Sequence, residues 1–218
     1  MKLVSVNVGL PREIIWKGKP VTTSIFKEPI EGKIRLRTLN LDGDQQADLS
    51  VHGGVSKAVY AYPAEHYGYW QKELPSVVFQ WGKFGENFTT EGLREDSVGI
   101  GDRFRIGSAV VRVTEPRMPC YKLVIRFEMD DMVKRFMASE RTGFYFAVVQ
   151  EGEVEAGDEF EPLDSDENKV TVAGVTRLYV RDKDNVKMLR QMVELEALPE
   201  SWKGYFRHRL ENLEIGIE

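Results

Sequence analysis

Alternation of apolar and polar residues predicts short β-strands through most of the first 165 residues. Ile34 and Leu36 alternate with Arg35 and Arg37, which indicates a strand with one buried and one solvated face. The predicted strands are 2–8, 21–27, 33–37, 58–62, 103–106, 109–114 and 144–149. Many short strands separated by Gly and Pro turns predict a mainly β fold, a mostly antiparallel β-barrel with peripheral helices.

Helical spacing is confined to a few segments. Pro63 suits the first position of a helix that reaches about Leu74, and His66 on this helix is interpreted as a structural residue of an aromatic stripe. A further helix is predicted from Asp130 or Asp131 to about Ser139.

Three more helices are predicted after the polar segment 164–168, at 172–180, at 185–195 and from about 199 onward. The polar segment predicts a boundary between a barrel domain, residues 1–165, and a small three-helix domain, residues 170–218.

Composition narrows the class of protein. The 42% hydrophobic and 30% charged content is typical of a soluble globular chain, and no apolar run is long enough to span a bilayer. A single cysteine and the lack of a signal-peptide pattern favour a reducing, cytoplasmic location. The net charge of −5 argues against nucleic-acid polymers and anionic membranes as partners.

The single cysteine, Cys120, lies in the segment Glu-Pro-Arg-Met-Pro-Cys-Tyr-Lys, residues 115–122. Two prolines make the entering loop stiff, and Arg117 and Lys122 place positive charge beside the sulfur, which favours thiolate over thiol. A thiolate is both a nucleophile and a soft metal ligand. The alternative is a free cysteine that packs as a small hydrophobic residue.

Other polar positions permit two interpretations each. His52 lies in a loop rich in Asp, Asn and Gly, which is either the rim of a site or, as composition favours, a solvated turn. Gly85 and Asn87 suit either a close backbone approach to a ligand or a plain turn. Arg141 is either a site residue or a charge near a helix C-terminus, and the residues alone slightly favour the latter.

These motifs, taken in order, resemble the MOSC superfamily, whose domains are similar to the C-terminal part of molybdenum cofactor sulfurase. The resemblance runs through residues 48–54 (Asp-Leu-Ser-Val-His-Gly-Gly), 57–63 (Lys-Ala-Val-Tyr-Ala-Tyr-Pro), 85–88 (Gly-Glu-Asn-Phe), 116–122 (Pro-Arg-Met-Pro-Cys-Tyr-Lys) and 141–145 (Arg-Thr-Gly-Phe-Tyr). The tail after residue 170 resembles the three-helix extension of stand-alone bacterial members. The resemblance implies a barrel like that of the MOSC and pyruvate-kinase β-barrel folds.

The resemblance also implies a function. Cys120 would be the catalytic residue and the ligand of molybdenum in molybdopterin, and the protein would reduce N-hydroxylated compounds such as N-hydroxylated nucleobases. The residues implied to bind the cofactor are Arg117, Lys122, Arg141, His52, Gly53, Gly54 and Asn87. Because no Gly-rich nucleotide fingerprint follows a predicted strand, an electron-donor protein is expected as a partner.

Two alternatives stay open at this point. The cysteine could carry the molybdenum cofactor, or sulfane sulfur as a persulfide, to another enzyme without catalysis. Alternatively, Cys120, His52 and Asn87 could form a cysteine hydrolase, a constellation that recurs in thiol enzymes. A zinc site is disfavoured, since the chain has one cysteine and three scattered histidines without paired ligand spacing.

Overall fold

The fold contains twelve β-strands in the described residues. The structure is a computed structural model, and it describes residues 1–48 and 53–215. In chain order the strands are β1 Lys2–Val8, β2 Arg12–Trp16, β3 Lys19–Thr23, β4 Glu28–Ile30, β5 Ile34–Leu36, β6 Val59–Pro63, β7 Phe88–Glu91, β8 Arg103–Ile106, β9 Ala109–Pro116, β10 Phe144–Gln150, β11 Gly152–Val154 and β12 Glu161–Asp164. Six of these strands lie at predicted positions, namely β1, β5, β6, β8, β9 and β10, whereas β2, β7, β11 and β12 were not predicted.

Eight of these strands form one curled sheet, a half-barrel, in the order β12-β8-β9-β10-β6-β7-β1-β4. All its pairs are antiparallel except β6 with β7, so the sheet is mixed. The predicted mainly β, barrel-like fold is confirmed. The parallel pair was not predicted, because its two strands are joined through a helix and a long turn and show no distinctive pattern.

Two boundaries differ from the sequence-based prediction. Only the first part of the strand expected at 21–27 is a strand, since β3 ends at Thr23 and residues 24–27 form none before β4 begins at Glu28. Pro63 ends β6 instead of starting a helix, and the next residue, Ala64, donates its backbone N–H to Thr90 O at 2.7 Å. Pairing with β7 thus extends the strand through a proline, whose missing N–H is tolerated at a strand end.

Six α-helices accompany the sheet: α1 Glu65–Glu73, α2 Tyr121–Phe127, α3 Met132–Ser139, α4 Val172–Val180, α5 Val186–Glu194 and α6 Glu200–Ile215. All but α2 were predicted. In α5 the capping side chain is Asn185, which accepts from Met188 N at 3.1 Å. No helix in the described ranges is long and apolar enough to cross a bilayer.

The C-terminal helices pack directly on the sheet. Val172 and Val175 of α4 and Phe206 of α6 are fully buried in the same hydrophobic cluster as Phe144 and Phe146 of β10. Backbone hydrogen bonds also join Val172 N to Val98 O (3.0 Å) and Ile100 N to Val170 O (2.8 Å). One continuous apolar cluster therefore includes residues of both 1–165 and 170–215, and the division into two domains stays a prediction.

Candidate functional site

Cys120 lies at the point where the end of β9 turns into α2. Its backbone is extended (φ −121°, ψ 174°), and its carbonyl oxygen accepts from Leu123 N at 2.9 Å, the first turn of the helix. The cysteine is partly exposed and reduced. A rigid strand on one side and a helix on the other therefore hold the thiol in place.

The thiol opens into a cleft of about 600 Å³ that is partly continuous with solvent, within the size range of small-molecule sites. Six separate parts of the chain build its walls. The lining residues are Thr23, Ser24, Ile25, Lys27, Asp44, Gln46, Ala47, Lys57, Tyr60, Gly85, Asn87, Arg117, Cys120, Lys122 and Tyr145. Arg117, Lys122, Asn87 and Cys120 are thus brought together, as the sequence analysis expected.

Arg117 is the most unusual charge in the cleft. It is only 6% exposed, and its guanidinium lies over the rings of Tyr60 and Phe136, 5.0 and 5.2 Å from their centroids. Within the described residues, Nη1 has no hydrogen-bond partner and no carboxylate pairs with the side chain. A buried cation without an anion is costly. The arrangement therefore favours a ligand that brings negative charge.

The remaining charges make the cleft cationic. Four cationic side chains and one carboxylate line it. The carboxylate, Asp44, forms a buried ion pair with Lys27, whose pKa is nevertheless lowered, chiefly by burial. Lys122 is 8% exposed and forms no ion pair with any carboxylate that the structure describes. Burial likewise raises the pKa of Tyr145 to about 12 against the opposing charge of Arg117, so this hydroxyl stays protonated at neutral pH.

Asn87 lines the cleft, but its amide is already engaged. Nδ2 donates to Asp44 Oδ2 at 2.9 Å and to Asn7 O at 3.3 Å, and Oδ1 accepts from Tyr60 N at 3.2 Å. Asn87 therefore positions Asp44 and the start of β6. Both of its N–H donors are engaged, and its oxygen already accepts one hydrogen bond.

Glu86, beside Asn87, organises the turn that carries the motif at 85–88. Its fully buried carboxylate accepts from Tyr67 Oη, Gly82 N (2.9 Å), Phe84 N (3.0 Å) and Thr89 Oγ1 (3.0 Å). Burial raises the pKa of Glu86, and these donors oppose the shift. Gly85 has φ +82°, which favours glycine, so this motif is a turn in the cleft wall.

Glu86→Gln is expected to lower the free energy of unfolding by about 1–3 kcal/mol. An amide keeps one acceptor oxygen but turns an NH₂ group toward a donor, so at least one buried N–H or O–H loses its partner. Denaturant titration of the variant measures the effect. Glu91→Gln, at an exposed position at the end of β7, is the matched control. Equal stability of the two variants would contradict the structural role assigned to Glu86.

Three predicted site positions lie away from this cleft. The guanidinium of Arg141 lies 3.9 Å from the Tyr69 ring centroid, and Nη1 donates to Ser139 O at 3.0 Å. Arg141 lines a different depression, beside the hydrogen-bonded pair of His66 and Glu95. The other two, Gly53 and Gly54, precede a 3₁₀ turn at Val55–Lys57 and do not line the cleft. His52 lies outside the described residues.

Several residues that line the cleft were not predicted from the sequence. Lys27 and Asp44 lie in segments without a motif, and only the sheet brings them to Asn87 and Cys120. Tyr60 and Tyr145 belong to segments that carried the family resemblance, which was the one available signal. Neither ring could be assigned to the Cys120 site without the pairing of β6 with β10, which places Tyr60 opposite Tyr145.

A second cleft, of about 800 Å³ and also partly open to solvent, reaches Cys120 from the side of the C-terminal helices. Its lining residues are Lys57, Glu115, Met118, Pro119, Cys120, Tyr145, Tyr179, Ser201 and Trp202. Trp202 of α6 donates its Nε1–H to Glu115 Oε2 at 2.6 Å. The C-terminal helices therefore contribute directly to the surroundings of the cysteine.

Comparison with known families agrees with this architecture. Residues 48–161 match the MOSC domain, and residues 170–213 match the YiiM-like 3-alpha helix domain. The crystal structure of YiiM from Geobacillus stearothermophilus superposes with a TM-score of 0.81 at 33% identity, covering 96% of this chain and 98% of that one.

Three curated relatives are similar in sequence. The uncharacterized protein YflK of Bacillus subtilis is 39% identical over 97% of this chain and 95% of its own length, and protein YiiM of Escherichia coli is 36% identical over 88% and 86%. A protein named reductase from Gibberella moniliformis is 31% identical over 82% of this chain, which corresponds to 32% of its own length.

Proposed function

The chain belongs to the MOSC domain family, and from this premise we propose that it binds the molybdenum cofactor in the cleft of Cys120 and reduces N-hydroxylated compounds, including N-hydroxylated nucleobases. The reductive direction is supported by the relative named reductase. A cytoplasmic location and an electron-donor protein as partner belong to the same proposal. MOSC domains are generally associated with this cofactor.

The observation that carries the proposal is the pairing of an accessible thiol with an unpaired buried cation in one cleft. Arg117 has a free Nη1 donor, and Ser24 on the same wall has a buried hydroxyl without a partner among the described residues. A phosphate group accepts from a guanidinium fork and a hydroxyl, and a soft thiolate suits a molybdenum centre. The residues present therefore fit an anionic metal cofactor.

The residues have separate tasks in this proposal. The Cys120 thiolate would ligate the metal, while Arg117 and Lys122 would hold the anionic phosphate and exclude competing water from it. Asp44, held by Lys27 and Asn87, keeps the opposite wall in place. The cofactor, when bound, supplies two-electron chemistry at the metal, by which an N–OH group, two electrons and two protons become N–H and water.

Elemental and pterin analysis of protein purified from a host that makes the cofactor tests the proposal. We expect close to one molybdenum and one pterin per chain, and turnover of 6-hydroxylaminopurine with an artificial electron donor. Labile sulfur on Cys120 in place of molybdenum would instead indicate a sulfur carrier. Protein with neither metal nor turnover would contradict the proposed function.

A further inference from the structure

The two clefts that meet at Cys120 differ in chemical character. The first cleft is lined by four cationic side chains, of which only Lys57 also lines the second; the second cleft adds ring and thioether groups, among them Tyr179, Trp202 and Met118. A ligand suited to the first cleft is anionic, and one suited to the second is flat and apolar. The two clefts share Lys57, Cys120 and Tyr145, so ligands in both would meet at the thiol.

Glu115 is the acidic group of the second cleft, and one of its oxygens is free. The side chain is only 3% exposed; Oε2 accepts from Trp202, and Oε1 has no hydrogen-bond partner within the described ranges. Burial raises the pKa of Glu115, and the charge of Lys57 and the side chains of Trp202 and Ser56 oppose the shift. A buried carboxylate oxygen without a donor is costly. A ligand that presents an N–H or O–H group would satisfy it.

The rings beside this oxygen suit an aromatic ligand. Tyr179 and Trp202 meet edge to face, with centroids 5.4 Å apart at 66°, and Tyr179 is only half-buried. Met118 is also half-buried and lines the same cleft. Aromatic and thioether groups bind flat π-systems through dispersion and quadrupole contacts. The cleft thus combines apolar walls with one directional acceptor.

We infer that the second cleft binds the flat aromatic ring of the N-hydroxylated substrate, with an N–H or O–H of the ligand donating to Glu115 Oε1. The C-terminal helices, through Tyr179 and Trp202, supply the substrate site, while the first cleft holds the anionic cofactor. The inference rests on the proposed function for the identity of the ring, since Cys120 stands where both ligands meet.

The test fills the second cleft without removing a core side chain. Ser201, an exposed residue of the first turn of α6 that lines the cleft, is replaced by tryptophan. Ser201→Ala leaves the cleft open, and Lys203→Trp places the same ring two residues away, at a position that does not line the cleft. Each cofactor-loaded protein is assayed for molybdenum content, for reduction of 6-hydroxylaminopurine and of hydroxylamine, and for calorimetric binding of 6-hydroxylaminopurine without an electron donor.

We expect Ser201→Trp to weaken 6-hydroxylaminopurine binding and to raise the KM for this substrate about tenfold or more. This is the size of effect expected when the aromatic contacts of one ring are lost. Molybdenum content and hydroxylamine reduction should match both controls, because hydroxylamine carries no ring. Unchanged binding and KM in a loaded, active Ser201→Trp protein would overturn the inference and leave the proposed function standing. A different result is that the unmodified protein carries no molybdenum but binds 6-hydroxylaminopurine, and that Ser201→Trp abolishes this binding. That result would support the inference and contradict the proposed function.

Glu115→Gln provides a second, nearly isosteric variant in case the tryptophan disturbs folding. The amide still accepts from Trp202 but lacks the charge, and charge-assisted hydrogen bonds are roughly twice as strong as neutral ones. Affinity for 6-hydroxylaminopurine should fall about tenfold, with molybdenum content unchanged. An affinity equal to that of the unmodified protein would remove Glu115 from the ring site and overturn the proposed recognition.

Discussion

Cys120→Ser is expected to reduce turnover of 6-hydroxylaminopurine at least about a hundredfold while the protein still folds and still binds pterin. Serine has almost the same size and suits the same extended backbone before α2, but its hard hydroxyl is a much poorer ligand for molybdenum than a thiolate. The pterin and its phosphate would still be held by Arg117 and Lys122, which the substitution leaves in place. Turnover, pterin content and molybdenum content of the purified variant measure the three effects separately.

Tyr121→Phe is the matched control for this experiment. Tyr121 follows the cysteine in α2 and is 54% exposed, so loss of its hydroxyl should leave turnover unchanged. Full activity of Cys120→Ser would remove the thiol from the mechanism and leave the interpretation of Cys120 as a simple packing residue. Loss of activity in both variants would point to the conformation of the loop instead of the sulfur.

Arg117→Met is expected to have opposite effects on stability and on cofactor affinity. The guanidinium is buried between aromatic rings without a carboxylate partner among the described residues, so the cofactor-free protein retains a poorly compensated charge. Methionine keeps much of the volume and contacts both rings through its thioether. The free energy of unfolding of the cofactor-free variant should therefore be unchanged or higher by about 1–3 kcal/mol.

Cofactor affinity of Arg117→Met should fall at least tenfold, because one or more charge-assisted hydrogen bonds of about 1.5–3 kcal/mol each are lost. Arg141→Met is the control, since Arg141 stacks on Tyr69 and lines a different depression. Cofactor titration and denaturant unfolding of both variants make the comparison. If Arg141→Met lost the cofactor and Arg117→Met kept it, the phosphate site would be in the depression lined by Arg141, and the assignment of the cleft would be wrong.

Part of the site could be predicted from sequence because its residues are close together along the chain. Arg117, Cys120 and Lys122 lie within six consecutive positions, and the stiff loop before the helix keeps them at one cleft. Arg141 was assigned to the same site only through the family resemblance. The structure gives its charge another use, since the residue follows α3 directly and folds back onto Tyr69.

For Asn87, the sequence indicated the position but could not identify the partners of the side chain. Its place in the segment Gly-Glu-Asn-Phe, residues 85–88, indicates a turn or a close backbone approach, but not which groups will bind the side chain. Its partners Asn7 and Asp44 are 80 and 43 positions away. The same amide therefore suits a cofactor contact or a structural one, and only the surrounding hydrogen bonds show that all its groups are occupied.

The sequence by itself determined the local elements. The strand Lys2–Val8, the hairpin of β8 and β9 and the helix Val172–Val180 lie where periodicity and turn residues predicted them. These features depend on neighbours a few positions away, and a period of two or of 3.6 residues records which face will be buried.

Only the tertiary structure decided which elements meet at Cys120. The order of strands in the sheet brings Lys27 and Asp44 to one side of the thiol, and packing of α6 brings Trp202 to Glu115, 87 positions earlier. Periodicity shows that a face is buried but not against which partner, since apolar contacts are non-directional and many pairings would bury similar area. The aromatic cleft beside the cysteine therefore exists only in the folded chain.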